Sequence, residues 1–272
     1  MTSLICWIGV DSRGPASVYL ASDSRISWPS KGLWDRGRKV FACHNSPELL
    51  GYMGQVLFPS QALSQVQNLI EAGCLFKANA TPEEKREAVF DVVKSSFQTY
   101  PAERDRPFTI VHSTRDSEGM DAMFCVFTLS WNGRCWQEET LLVPDASGII
   151  RAWGSGEAAI ARWYKRWMNT RQSGRTSRSA FSAFCDALMS GEDQFTGGAP
   201  QLVGLYRKDG GVIFGVIYGG SRYFLGVPIS NQAQLSKVEW RNSLFERCDG
   251  QTMNRLDAAQ QHRHPKGLGK AL

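Results

Sequence analysis

The chain opens Met1-Thr2-Ser3, and a small residue in second place is the kind that methionine aminopeptidase uncovers. Loss of Met1 would leave Thr2 carrying a hydroxyl and a free α-amine. An α-amine has a pKa of roughly 7.7–8.0, so a useful fraction is unprotonated near neutral pH. It can take the proton of its own residue's hydroxyl, directly or through one water, and activate that hydroxyl for attack on a carbonyl carbon. Many chains begin Met-Thr with no chemical consequence, so the pair needs support from the residues folded around it.

A nucleophile at a terminus works only if the terminus is held. Residues 4–10 (Leu-Ile-Cys-Trp-Ile-Gly-Val) are an apolar run with no turn residue before Gly9, which suits a buried strand able to pin an end that chains usually leave frayed. After the turn cluster at 11–15, residues 17–22 read as a second strand and complete a hairpin. Residues 28–38 read as loop. Strands are expected over 38–43 and 49–54, a helix from near Ser60 through Ile70, and a second helix opened by Thr81-Pro82-Glu83-Glu84, which combines an N-cap, a proline in the first turn and a glutamate three residues after the cap. Strand patterns return at 108–113, 122–131, 135–143 and 149–153, helical patterns at 157–168 and 179–189, and strands again at 201–206, 212–218 and 223–226. Strands, two helices, strands, two helices, strands is an α+β order. Two sheets stacked face to face, with a helical pair on each outer side, would bury it. Residues 227–272 show no clear period beyond a short segment around 237–247, and the last dozen residues read as disordered.

Composition bounds the function. Hydrophobic residues make up 42% of the 272 and charged residues 21%, ordinary values for a globular chain. The net charge is +5, from 31 basic and 26 acidic residues. Residues 251–272 hold four basic residues (Arg255, Arg263, Lys266 and Lys270) against Asp257, leaving 27 basic and 25 acidic residues in the other 250. A body so nearly neutral gives no electrostatic footprint for nucleic acid. No window reaches the roughly 18 apolar residues of a membrane helix, and no basic region precedes the first apolar run as it would in a secretory signal. Seven cysteines without paired spacing suit reduced thiols in the cytoplasm.

Several short segments together resemble the β-subunits of proteasomes. Leu20-Ala21-Ser22-Asp23-Ser24-Arg25 is similar to their strand-end aspartate motif. Arg38-Lys39-Val40 followed by Gly54 resembles their lysine-bearing strand and the glycine that closes the next one. Gly154-Ser155-Gly156 resembles their turn ahead of a helix. Asp193-Gln194-Phe195-Thr196-Gly197-Gly198 resembles their Asp-x-x-Ser-Gly-Gly turn ahead of a strand. The resemblance runs from residue 2 to about 226 and implies an N-terminal nucleophile hydrolase domain of αββα architecture, followed by an extension over 227–272. That extension, with no propeptide expected, makes the chain most similar within the family to the bacterial proteasome homologue of betaproteobacteria.

The resemblance implies a threonine-type peptidase that needs no cofactor or metal and stacks into rings, two of seven subunits, around a chamber that admits polypeptides, with an unfoldase partner left open. Thr2 is the implied nucleophile. Lys39 would supply a cation that lowers the pKa of its amine and hydroxyl, and Asp23 the counter-ion that an internal ammonium requires. Ser155 and Asp193 would orient the amine with help from Thr196, and the Gly54 N–H would meet the oxyanion. Ile26, Ser27, Phe41 and Tyr52 would line the substrate site. Two positions depart from the family pattern: Thr196 stands where serine is usual, and Glu157 where a second serine is common. A ring of the same fold with little peptidase activity, and an amidase acting on a small amide, are the alternatives.

Other reactive residues have weaker settings. His44 and His112 lack a readable Ser or Cys partner and suit turn or core positions. His262-Arg263-His264 could bind metal adventitiously. Cys43, Cys74 and Cys185 fall at apolar positions and read as small core residues. The aromatics of Trp163-Tyr164-Lys165-Arg166-Trp167 suit packing or a subunit contact.

Overall fold

The computed structural model of the protein describes residues 2–28, 31–170, 176–230 and 234–265. The chain opens with the antiparallel strands β1 (Ser3–Asp11) and β2 (Gly14–Ser22), then a short pair, β3 (Ile26–Trp28) and β4 (Gly32–Trp34), then β5 (Val40–Cys43) and β6 (Glu48–Gly54). Helices α1 (Leu57–Glu71) and α2 (Pro82–Thr99) follow. Strands β7 (Phe108–Asp116), β8 (Met123–Trp131), β9 (Trp136–Leu141) and β10 (Gly148–Gly154) lead to α3 (Glu157–Met168) and α4 (Ser177–Ser190). The chain then returns to strand in β11 (Gln201–Tyr206), β12 (Val212–Tyr218), β13 (Ser221–Phe224), β14 (Val227–Pro228), β15 (Trp240–Asn242) and β16 (Arg247–Cys248).

Among the described residues the strands form one nine-stranded sheet, with the path β10-β1-β2-β11-β12-β13-β14 and β15 and β16 attached beside β12, a five-stranded sheet β5-β6-β7-β8-β9, and the separate pair β3-β4. Side chains alternate across each strand, and on the central strands both faces are buried and apolar. On β1, Leu4, Cys6 and Ile8 enter the cluster between the sheets, while Ile5 and Trp7 face α3 and α4. On β5, Val40 and Ala42 enter the same inter-sheet cluster, while Phe41 and Cys43 face α1 and α2. Three apolar clusters thus separate four layers, an αββα sandwich as the element order implies. Burial on both faces is what makes these strands read as unbroken apolar runs.

Local chemistry sets the element ends. Thr81 caps α2 in a reciprocal capping box with Glu84, as its sequence predicts. Helix α1 begins three residues before the predicted Ser60: Val56 at its N-cap makes no side-chain cap bond, and Gln55 Oε1 accepts the Phe58 N–H instead, at 3.0 Å. The expected loop at 28–38 contains β4, which pairs with β3 through Ile26–Trp34 and Ser27–Leu33.

One alternative is decided and two expectations require correction. Trp163 and Trp167 are 5% and 0% exposed and pack inside the α3/α4 layer, the packing reading of these aromatics. Cys43 and Cys185 are buried, but Cys74 is exposed after α1. The segment beyond 226 is integrated with the domain: β15 extends the large sheet in parallel with β12, Trp240 is buried, and Phe245 joins the cluster under α3 and α4. Of the last dozen residues, 261–265 are described and His262 is buried; Lys266 to Leu272 lie outside the described residues. His44 is exposed in its turn, whereas His112 is fully buried against Glu48 at 2.6 Å.

Candidate active site

One end of the sandwich gathers the start of β1, the ends of β2, β10 and β6, and the starts of β5 and β11. Register fixes this: Ser3 pairs with Gly154, Leu4 with Ser22, Ser22 with Gln201, and Val40 with Gly51. Thr2, the residue before β1, is fully buried there.

Asp23 is the hub of this end. Its Oδ1 accepts the Ser3 N–H at 2.9 Å and Lys39 Nζ at 2.8 Å, and its Oδ2 accepts the N–H groups of Arg25 and Gly197, each at 3.1 Å. Asp23 and Lys39 are both 0% exposed. Lys39 Nζ also donates to the Arg25 carbonyl at 2.5 Å. Burial pushes the Lys39 ammonium below its ordinary pKa, and the Asp23 carboxylate opposes that shift. The backbone link at Ser3 places the preceding residue, Thr2, beside this ion pair.

Two glycine-containing turns close around the terminus. Gly154 has φ +97°, and a Cβ there would overlap the Thr2 carbonyl oxygen, so the position requires glycine for both conformation and space. A Cβ on Gly156 would overlap Ser3 Oγ and meet Thr196 Cγ2 at 3.3 Å, which brings the 154–156 and 193–198 turns together over Ser3. In the second turn, Asp193 Oδ1 accepts the Phe195 N–H at 3.0 Å. Asp193 Oδ2 is buried with no partner among the described residues. The Thr196 hydroxyl donates to the Asp193 carbonyl at 3.3 Å, within its own turn.

The remaining predicted residues divide. Ser155 is exposed at the tip of its turn, and Glu157 is exposed in the first turn of α3, close enough to Arg151 for their charges to interact. Gly54 closes β6 with φ +97°, its backbone against Pro107 and Phe108. Ile26 is buried on β3 against Gly37, and Ser27 beside it is half-buried. Phe41 and Tyr52 do not line a pocket. They are 2% and 0% exposed in the cluster under α1 and α2, with Tyr52 Oη donating to the Arg38 carbonyl at 3.0 Å. The alternation that directs Phe41 and Tyr52 into this cluster also gathers Leu50, Phe108 and Ile110 there.

Sequence reasoning missed three residues that hold this end together. The Arg25 guanidinium makes a two-pronged contact with Asp35, at 2.8 and 2.9 Å, and donates to the carbonyls of Gln194 and Thr196. This contact raises the Arg25 pKa and lowers that of Asp35. Gln201 is fully buried and bonds to the backbone on both sides of the ion pair. Arg25 lay within the quoted motif and Gln201 three residues beyond the last glycine pair, but neither Gln201 nor Asp35 has a local pattern that marks it.

No family model matches the chain, and no curated protein matches it. Among solved structures, a eukaryotic HslV from Trypanosoma brucei aligns over 75% of this chain and 99% of its own, at 14% identity and TM-score 0.48. An Anbu mutant from Hyphomicrobium sp. strain MC1 aligns over 83% of this chain and 87% of its own, at 12% identity and TM-score 0.53. The second likeness, with the layer order described above, shows the chain to have the proteasome-like αββα fold of the N-terminal nucleophile hydrolases.

Proposed function

We propose that the chain is a threonine-type peptide hydrolase whose nucleophile is Thr2 after removal of Met1. One observation carries this reading: Ser3 N–H and Lys39 Nζ share a single buried carboxylate oxygen, Asp23 Oδ1, so the residue before Ser3 is held beside a buried ammonium. In the reaction the Thr2 hydroxyl oxygen bonds to the scissile carbonyl carbon while its proton passes to the Thr2 α-amine. Collapse of the tetrahedral intermediate breaks the C–N bond, and that proton leaves on the departing amine. Water then attacks the resulting ester and returns Thr2. The positive charge of Lys39 favours the neutral amine, and the Gly54 N–H is assigned to the oxyanion. Asp193 and Ser155 are assigned to orient the amine.

Intact mass tests for Met1 removal, and a threonine-directed epoxyketone or boronate tests the nucleophile. Labelling of the mature protein that disappears in Thr2→Ala supports the reading, and labelling that persists in Thr2→Ala overturns it. Self-association into stacked rings and a polypeptide substrate belong to the same proposal, as does the place nearest the betaproteobacterial homologue, for which the extension beyond residue 226 is the ground. A sedimentation mass equal to one chain would contradict the rings. An amidase for a small amide is the second reading, favoured by the burial of Phe41 and Tyr52, which removes two residues from the lining a peptide side chain would use. Hydrolysis of short amides with none of peptides would select it. Among the described residues no helix is long and apolar enough to cross a membrane.

A further inference from the structure

The Asp23–Lys39 pair spans a joint between two independent ladders. Asp23 follows β2 in the nine-stranded sheet, and Lys39 precedes β5 in the five-stranded sheet. No shared strand register sets the separation of the two backbones at this point, so other groups must. One is the Gly37 N–H, which donates to the Ser24 carbonyl at 2.9 Å. Others are the Arg25–Asp35 contact and the Ser24 hydroxyl, which donates to the Asp35 carbonyl at 3.1 Å. The one that reaches Lys39 and Asp23 themselves is Gln201, the first residue of β11 in the larger sheet. Its Oε1 accepts the Lys39 N–H at 3.0 Å, and its Nε2 donates to the carbonyls of Asp23 at 3.2 Å and Gly37 at 2.6 Å.

The partners fix the amide's orientation, because a backbone N–H only donates and a carbonyl only accepts. A fully buried amide with three such bonds holds its partners firmly, since breaking any of them leaves a buried polar group unpaired. We infer that Gln201 is a positioning residue, a clamp across the two sheets that sets the Asp23–Lys39 contact and through it the activation of Thr2. The inference deepens the Thr2 reading and, for its kinetic consequence, rests on it.

The test uses the full chain with Gln201→Glu and Gln201→Leu. An ionised glutamate at 201 turns acceptors toward the carbonyls of Asp23 and Gly37 and restores no donor. A protonated one can donate to one of them. The charged groups around it are Asp23, Lys39, Arg25 and Asp35, and burial beside Asp23 favours its protonated form at acidic pH. The rate of electrophile capture by Gln201→Glu, divided by the wild-type rate, should therefore fall by about tenfold or more from acidic to mildly alkaline pH, about what one lost buried hydrogen bond removes. Gln201→Leu should be slow throughout. Equal ratios at every pH for Gln201→Glu, or wild-type rates in either variant, would overturn the clamp.

A second measurement does not depend on Thr2 chemistry. NMR titration of the Lys39 side chain should show its pKa lower in Gln201→Leu than in wild type, by about one unit, as the Asp23 contact loosens while burial remains. An unchanged Lys39 titration rejects the clamp even if no electrophile labels the protein. Absence of labelling in wild type with a shifted Lys39 titration would instead reject the Thr2 reading and keep the clamp.

Discussion

Asp23 and Lys39 meet at 2.8 Å with neither side chain exposed to solvent. Taking both charges out of water is costly, and their attraction offsets that cost only where the remaining hydrogen-bonding positions are filled. Here they are: Asp23 accepts four donors in all, and Lys39 has the Arg25 carbonyl as a second acceptor. A surface pair would serve stability as well or better, so stability alone does not account for the burial of this one.

Removing one partner should be severe. Asp23→Asn keeps the shape but presents an NH2 group where two donors converge, and it leaves the Lys39 ammonium buried without its counter-ion. A loss of about 3–5 kcal/mol is expected in denaturant unfolding at neutral pH. A loss below about 1 kcal/mol would mean that Lys39 finds another partner and that the pair does not organise this end.

Lys39→Met tests the same pair by pH. Burial lowers the Lys39 pKa, so between its folded value and the ordinary 10.5 the unfolded chain holds more protons than the folded one. Stability contributed by this group therefore rises with pH across that window. Buried thiols and phenols whose pKa values are raised, such as Cys6, pushed up to about 12, act with the opposite sign, so the readout is the difference between wild type and variant. Wild type should gain on Lys39→Met as pH climbs through the window. A constant difference would show that Lys39 does not titrate there. Hydrolysis or electrophile capture by the variant should fall by about 100-fold or more, the scale of a lost electrostatic or proton-transfer contribution.

The layer order was legible because most strands are apolar on both faces and the capping box of α2 is written in four consecutive residues. The ion pair was legible in its residue types through the resemblance, since Asp23 and Lys39 sit in short motifs at strand ends. What escaped were relationships that no local pattern encodes. Gln201 acts through backbone groups of Asp23, Gly37 and Lys39, over 160 residues away in sequence. Phe41 and Tyr52 were expected to line the substrate site, but the face of β5 and β6 that carries them is covered by α1 and α2, which makes them core. The segment beyond 226 has almost no periodicity because side chains bonding to backbone hold it, as when Trp240 Nε1 donates to the Leu235 carbonyl at 3.0 Å.

Glu157 was the departure that threatened the site, and its placement changes the expectation. It is exposed at the start of α3, with the positive charge of Arg151 nearby. A solvated carboxylate of this kind is well screened. Glu157→Ser should leave the pH profile of kcat/KM, or of electrophile capture, unchanged within about 0.2 pH units. A basic limb displaced to lower pH would show that the carboxylate reaches the Thr2 amine after all.

The last described segment fastens to the helical layer through histidines, and its attachment should depend on pH. His262 donates from Nδ1 to the Leu244 carbonyl at 2.9 Å, which leaves Nε2 as the bare nitrogen, buried with no partner among the described residues. Its ring lies 5.3 Å from that of Trp167, whose Nε1 donates to Asp186. His264 Nε2 meets the same Asp186 carboxylate at 3.0 Å. A proton on His262 Nε2 would be buried without an acceptor, and burial accordingly lowers the His262 pKa; Arg178 and His264 act in the same direction, while the Leu244 carbonyl and Glu246 oppose it. The folded state thus holds fewer protons than the unfolded one between the folded pKa and the ordinary 6.5, so the attachment strengthens as pH rises through that window and weakens as it falls. Asp186, whose pKa burial raises, works with the opposite sign, so the comparison must be against a variant that alters His262 alone. His262→Gln keeps a donor for Leu244 and cannot titrate. Relative to this variant, hydrogen exchange at residues 247–265 of wild type, corrected for intrinsic rates, should accelerate as pH falls below 6.5, by up to about tenfold per pH unit between 6.5 and the folded pKa, and should level off below it. Parallel exchange profiles in the two proteins would show that His262 carries none of the pH dependence.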